Sequence, residues 1–199
     1  MNVRDAVDQM SEILLAGSET TSGTIASFFL EIMRNTSVKE KLLKSLLILR
    51  LDDLIISSKV VRNGTEYEYL EACVKETLRM HPIASEMGRR TGAEPIELMG
   101  YLITPHTGVP PPEYVAEFLK MKAHAEYLSL QAYYPFSADK NSCVGVNFAW
   151  AEIRMVTANL LTRYDFCELP RQNIDWRQYI TMQFEGGSWK ASLMPRYEV

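Results

Sequence analysis

Apolar side chains nearly encircle the stretch from residue 5 to residue 33. Ile13, Leu14, Leu15, Ile25, Phe28, Phe29, Leu30, Ile32 and Met33 leave no consistently polar face. A helix with this pattern is buried on all sides, so one long central helix is expected here. Its middle, Gly17 to Gly23, holds Ser18, Glu19, Thr20, Thr21 and Ser22, which intrinsic propensity does not favour in a helix interior. Asn35-Thr36 ends the segment. Ser37 and Glu40 then form a capping-box pattern for a second helix over about 38–50. Residues 51–64 read as irregular, closing on the Asn63-Gly64 turn signal.

Thr65 and Glu68 repeat the capping pattern and open a helix that runs to His81, where Pro82 disfavours continuation. Short extended runs follow at 96–98 and 101–103, joined through Gly100. Pro110, Pro111 and Pro112 interrupt the chain, and residues 113–130 read as helical. A further amphipathic helix starts near Val144, with Val146, Trp150, Ile153, Thr157, Leu160 and Leu161 on one face. The tail, 177–198, alternates like a hairpin about Gly186-Gly187. The pattern predicts one mainly α domain over residues 1–199, with small β hairpins.

Composition narrows the function. The 199 residues are 47% hydrophobic and 23% charged, an ordinary globular balance. A formal net charge of −4 argues against nucleic acid as a partner. Cys73, Cys143 and Cys167 are an odd, scattered set, so neither a disulfide framework nor a zinc site is expected. His81, His106 and His124 show no metal-ligand spacing. No signal-peptide pattern opens the sequence and no apolar run is long enough to span a bilayer. As written, the chain reads as cytoplasmic, without a membrane anchor.

Three clusters carry chemistry. Cys143 stands at the mouth of a helix, followed by Gly145. There, free backbone N–H groups and the helix dipole favour a thiolate, while the plain alternative is a packed structural cysteine. Glu76 and Arg79 are three apart on one helix face and can pair, as on many surface helices. Ala16-Gly17-Ser18-Glu19-Thr20-Thr21 places an acid beside a hydroxyl. That pair either organises a proton relay or consists of side chains bonded back to the preceding turn.

Taken together, these stretches resemble the C-terminal part of a cytochrome P-450. Phe136, Cys143, Gly145 and Ala149 match the family's haem-binding loop. Tyr69-Leu-Glu-Ala-Cys-Val-Lys-Glu-Thr-Leu-Arg-Met-His-Pro82 is similar to its K helix, and Ala16 to Thr21 to the oxygen groove of its I helix. Asn35-Thr-Ser-Val-Lys-Glu-Lys-Leu resembles the J helix. The resemblance implies an incomplete cytochrome P-450 fold, made of the I, J, K and L helices plus C-terminal β structure. It implies haem as cofactor, with Cys143 as the thiolate metal ligand. Gly145, Phe136 and Arg90 would be cofactor-binding residues. Glu19 and Thr20 would be the catalytic proton relay, with Glu76 and Arg79 as a structural pair. An NADPH-dependent reductase and an apolar small-molecule substrate are the implied partners, and the wording resembles fungal members of secondary-metabolite pathways. Full-length members of the family sit at the endoplasmic-reticulum membrane.

The sequence also departs from the family pattern. Asp139 stands where the haem loop has glycine, and Asn141 stands where it has the arginine that pairs with a propionate. Phe118 stands where a third partner of the Glu76–Arg79 pair is expected. The segments that precede the I helix have no counterpart. The resulting expectation is a truncated monooxygenase, inactive as this chain. The alternatives are the C-terminal piece of a working enzyme completed by other polypeptide, and a non-catalytic helical binding module.

Overall fold

The computed structural model describes residues 2–46, 55–84, 89–98, 100–109, 133–138, 140, 142–178 and 181–196. The expected helix at 113–130, the proline break before it, and Phe118, Asp139 and Asn141 lie outside the described residues.

The first helix, α1, runs Val3–Arg34. Its start is set by a capping box. Asp5 N–H donates to Asn2 Oδ1 at 2.9 Å, and Asn2 N–H donates to Asp5 Oδ2 at 3.1 Å. That Asn-x-x-Asp signal was present in the sequence and starts the helix two residues ahead of the expected position. The helix is not buried along its length as its apolar pattern predicts. Its core residues begin at Thr21 and run through Thr24, Ser27, Phe28, Phe29, Leu30 and Ile32. Before that point Val7, Met10, Ile13, Leu14 and Leu15 face solvent, Leu15 with 69% of its surface.

Helix α2 spans Thr36–Leu46 and buries Leu42 and Leu46. It begins earlier than the Ser37–Glu40 pattern suggests, because Asn35 O already accepts from Lys39 N at 2.9 Å. The irregular reading of 51–64 fails in part. Helix α3, Ser58–Asn63, is capped by Ser57, whose hydroxyl accepts from Val60 N. Its β-branched Val60-Val61 pair disfavours helix locally, but Val61 is buried and tertiary packing wins. Asn159 fixes the entry to α3 by pairing with both backbone groups of Ile56, at 2.9 and 2.7 Å.

The next helix starts differently from its capping-box reading. Thr65–Tyr67 form a 3-10 turn, and α4 begins at Glu68 and ends at Met80. Thr65 is already inside the helical turn, so its hydroxyl caps nothing. The end falls as predicted: His81 N–H bonds Thr77 O at 2.8 Å and Pro82 follows. Leu70, Val74 and Leu78 turn one face of α4 into the core.

The small β structure is all antiparallel. Strands β1 (Arg89–Arg90) and β4 (Gly108–Val109) pair, as do β2 (Ile96–Leu98) and β3 (Tyr101–Ile103), the latter at the expected positions. The last helix, α5, spans Val146–Arg163. It buries Ile153, Thr157, Ala158, Leu161 and Thr162, with Trp150 and Leu160 packed against the same core. The buried hydroxyls of Thr157 and Thr162 donate to carbonyls one turn back, at 2.6 and 2.9 Å.

The tail is not a hairpin about Gly186-Gly187. Those glycines make a turn, closed by Gly187 N to Phe184 O at 2.8 Å, but the strands beside it pair elsewhere. Strand β7 (Met182–Phe184) pairs with β6 (Trp176–Gln178), and β8 (Ala191–Pro195) pairs with β5 (Tyr164–Glu168). The five-residue β5–β8 ladder puts Phe166 on the core, where its ring stacks on Phe29 at 4.4 Å. Alternation alone cannot tell which strand an apolar run pairs with.

Candidate functional site

Cys143 is held by backbone on both sides. Its N–H donates to Phe136 O at 2.8 Å, and its carbonyl accepts from Val146 N at 3.3 Å, at the first turn of α5. Phe136 is partly buried, and its ring meets Trp150 of α5 at 6.0 Å, so the loop is anchored to the helix. The thiol itself is exposed. Gly145 is the N-cap of α5 and supplies no side-chain cap, so beyond the Val146 amide, which Cys143 O already takes, the next amides of the first turn can donate to an anion. Beside the thiol in sequence, Val144 is fully exposed and Phe148 is 75% exposed.

Gly145 gives a test of what this mouth was shaped for. Its φ of −86° suits any residue. A Cβ built there meets only Cys143 Sγ, at 3.8 Å, an ordinary contact. The packing of this chain therefore does not demand glycine. A flat macrocycle brought against that backbone would, and the exposed apolar side chains beside an exposed thiol would fit it as well.

The second cluster lies on α1. Helix geometry is continuous through Gly17, where a Cβ would meet nothing within 4 Å. Thr20 Oγ1 donates to Ala16 O at 2.7 Å. Ser18, Ser22, Thr24 and Ser27 likewise donate to carbonyls one turn back. With its proton committed, the Thr20 oxygen is left as an acceptor. Glu19 reaches away from the helix and accepts a hydrogen bond from Thr181 Oγ1 at 3.0 Å. Sequence reasoning had no signal for Thr181, which lies 162 positions away.

Glu76 and Arg79 form a two-pronged pair on α4, with Nε and Nη2 at 2.8 and 2.6 Å from the two carboxylate oxygens. Both side chains are about half exposed. The Arg79 hydrogen bond holds the Glu76 carboxyl below its ordinary range. Arg90, on β1, is exposed and donates from Nε to His106 O at 3.3 Å. A pair that sequence reading missed lies on the buried side of α4. Arg154 of α5 places Nε and Nη2 at 3.1 and 2.9 Å from one oxygen of Glu71, and its guanidinium lies 4.7 Å from the Trp150 ring. It ties the helix that follows the cysteine to the helix carrying the Glu76–Arg79 pair.

A sequence model of the cytochrome P-450 family matches residues 1–116. The chain belongs to the cytochrome P-450 family. Relatives extend the match past Cys143. The cytochrome P-450 monooxygenase FUS8 of Gibberella fujikuroi is 28% identical over 214 residues, covering 97% of this chain and 41% of its own length. Cytochrome P-450 4d1 of Drosophila melanogaster is 29% identical over 181 residues, covering 83% of this chain and 34% of its own. Iridoid oxidase of Catharanthus roseus is 31% identical over 173 residues, covering 78% of this chain and 32% of its own. The fold agrees. The crystal structure of the cytochrome P-450DA haem domain superimposes with a TM-score of 0.74 at 18% identity, over 94% of this chain and 43% of that one.

This cytochrome P-450 chain thus spans about a third to two-fifths of the length of the relatives it matches. Its mainly helical fold with small antiparallel sheets is a partial cytochrome P-450 fold, as the motifs implied. Haem is the family's cofactor, and members work with a redox partner on small molecules. Among the described residues, no helix is long and apolar enough to cross a membrane.

Proposed function

We propose that this chain is the haem-thiolate portion of a cytochrome P-450 monooxygenase, with Cys143 as the iron ligand, and that the 199 residues alone do not turn over substrate. The observation that carries the first half is the exposed Cys143 thiol at an uncapped helix mouth, beside a glycine that the chain's own packing does not need. Gly145 would let the macrocycle approach, Phe136 braces the loop against α5, and Arg90 would pair with a propionate. When bound, haem supplies activation of O2 for insertion of one oxygen atom into an apolar secondary metabolite, with electrons from an NADPH-dependent reductase. Glu19 takes a proton from solvent on a carboxylate oxygen, and the Thr20 oxygen, its own proton given to Ala16 O, is free to accept a hydrogen bond in the relay. The Glu76–Arg79 pair braces α4. The working enzyme sits at the endoplasmic-reticulum membrane, and its secondary-metabolite role is of the fungal kind.

The second half rests on α1. Its acid and hydroxyl stand on a helix whose preceding four turns expose Val7, Met10, Ile13, Leu14 and Leu15. A water-excluding pocket for an apolar substrate needs those faces covered. This also favours one alternative, in which further polypeptide closes the same helix and completes a working monooxygenase.

One experiment separates the claims. One portion of the haem-loaded chain is reduced and exposed to CO, and a second portion, free of CO, is supplied with reductase, NADPH, O2 and a panel of apolar substrates. A thiolate-type Soret band that disappears in Cys143→Ser, with no NADPH-dependent product, is the expected result. Absence of the thiolate band removes Cys143 as ligand, and product formation removes the incompleteness.

A further inference from the structure

Glu19 is held from outside its own helix. Thr181, the residue before β7, donates its hydroxyl to Glu19 Oε2 at 3.0 Å. Gln183 Nε2 in turn donates to Thr181 Oγ1 at 3.3 Å. A hydroxyl oxygen that accepts from an amide keeps its own proton for another acceptor, so the order Gln183 to Thr181 to Glu19 has a direction.

Contacts that do not involve Glu19 deliver Thr181 to this place. Met182 N–H donates to Ile83 O at 2.8 Å. Ile83 lies against Gly23 of α1, where an added Cβ would come within 3.2 Å of its side chain. Trp176 of β6 meets Phe184 in a tilted contact at 4.2 Å and stacks on His81 at 5.0 Å, and His81 Nε2 meets Glu31 of α1 at 2.8 Å. Glu31 and Glu19 are twelve residues apart on α1, roughly 18 Å along its axis. The β6–β7 hairpin is therefore linked to α1 at two places, at Glu31 through the His81 ring and at Glu19 through Thr181.

A glutamate on an open helix surface samples several rotamers. Passing a proton to one neighbour requires one orientation. The Thr20 hydroxyl is committed as donor to Ala16 O, so it does not hold Glu19. We infer that Thr181 is a positioning residue for Glu19, fixing Oε2 through the Gln183-oriented hydroxyl and leaving Oε1 to exchange protons. This rests on the reading of Glu19 as the relay acid.

Two measurements on the full chain keep the two claims apart. Side-chain couplings of Glu19 by NMR need no haem. They should give one χ1 rotamer in the parent and in Thr181→Ser, and rotamer averaging in Thr181→Val. Near-UV circular dichroism from Trp176 should stay unchanged, which excludes loss of the hairpin. Averaging in the parent, or no change in Thr181→Val, overturns the inference. In the haem-loaded, reduced chain, re-oxidation in air and its solvent isotope effect test the relay itself. Glu19→Gln should slow it several-fold, Thr181→Val should slow it less, and Thr181→Ser should restore it. No effect of Glu19→Gln overturns the relay while the NMR result still decides Thr181. An effect of Glu19→Gln without one of Thr181→Val overturns the positioning role.

Discussion

His81 Nε2 lies 2.8 Å from a Glu31 carboxylate oxygen while the same imidazole stacks on Trp176 at 5.0 Å. One ring thus joins α1, the exit of α4 and the β6–β7 hairpin. Glu31→Gln keeps the shape and removes the charge, so a loss of about 1 kcal/mol in urea unfolding is expected. His81→Ala also removes the stacking and is expected to cost more and to shift Trp176 fluorescence. Equal stabilities for the parent and both variants would show that the junction contributes nothing.

Acid is expected to loosen the protein through three carboxylates. Burial alone would raise Glu71, but hydrogen bonds and charge from Arg154 and then Lys75 outweigh it and hold the group low. The Arg79 hydrogen bond lowers Glu76, and the Lys39 hydrogen bond, with Arg196 nearby, lowers Asp165. A folded value below the unfolded one means the unfolded chain binds more protons in acid. These groups therefore stabilise the fold above about pH 4.5, and that contribution is lost as pH falls through their folded values. Urea midpoints taken from about pH 6 to pH 3 should fall, and more shallowly in Glu71→Gln.

The three cysteines should separate by reactivity. Burial is the largest influence on Cys73 and pushes its thiol up to about 11, against weaker lowering by Tyr69 and Lys41. At neutral pH only on the order of one Cys73 in ten thousand is thiolate. Cys143 and Cys167 are exposed. Maleimide should label those two first and Cys73 only on unfolding. Haem should protect Cys143 and leave Cys167 reactive; protection of Cys167 instead would count against the ligand assignment.

The long helix, the Cys143 helix and the β2–β3 strands were legible because periodicity and breakers fix them locally. The buried role of residues 21–32 of α1 was legible too. The exposure of its first half was not, since an apolar pattern states what a helix seeks to bury and not whether a neighbour is there. The Glu71–Arg154 and Thr181–Glu19 contacts join positions 83 and 162 apart, beyond the reach of any spacing rule. Strand pairing in the tail was misread for a similar reason. Cys143, Glu76 and Arg79 stood out through motif wording alone, because a lone cysteine and a Glu-x-x-Arg pair are common in unrelated folds.

Truncations on the two halves of the architecture should differ sharply. Ile153 is 1% exposed in the core between α1 and α4, so Ile153→Ala should cost about 2–5 kcal/mol. Leu15→Ala removes a side chain already in water and should stay within about 0.5 kcal/mol. A large cost for Leu15→Ala would mean that the first half of α1 packs against something in solution.

Gly17→Ala is expected to stabilise the isolated chain by up to about 1 kcal/mol, because the added methyl meets nothing and the helix gains propensity. The same change should lower haem affinity if the groove reading holds. Thermal unfolding with and without haem measures both.

The β5–β8 ladder has a consequence for how this region can vary. It brings Arg196 N–H back to Arg163 O at 2.8 Å, so the chain leaves and re-enters the core at one seam. Everything between Glu168 and Ala191, including β6 and β7, is a closed loop hung from that seam. Loop closure costs little more for a longer loop than for a shorter one. The arm that touches α1 can therefore lengthen or shorten where it is exposed, and its reach toward Glu19 can be altered as long as the Met182–Ile83 and Trp176–His81 contacts are kept.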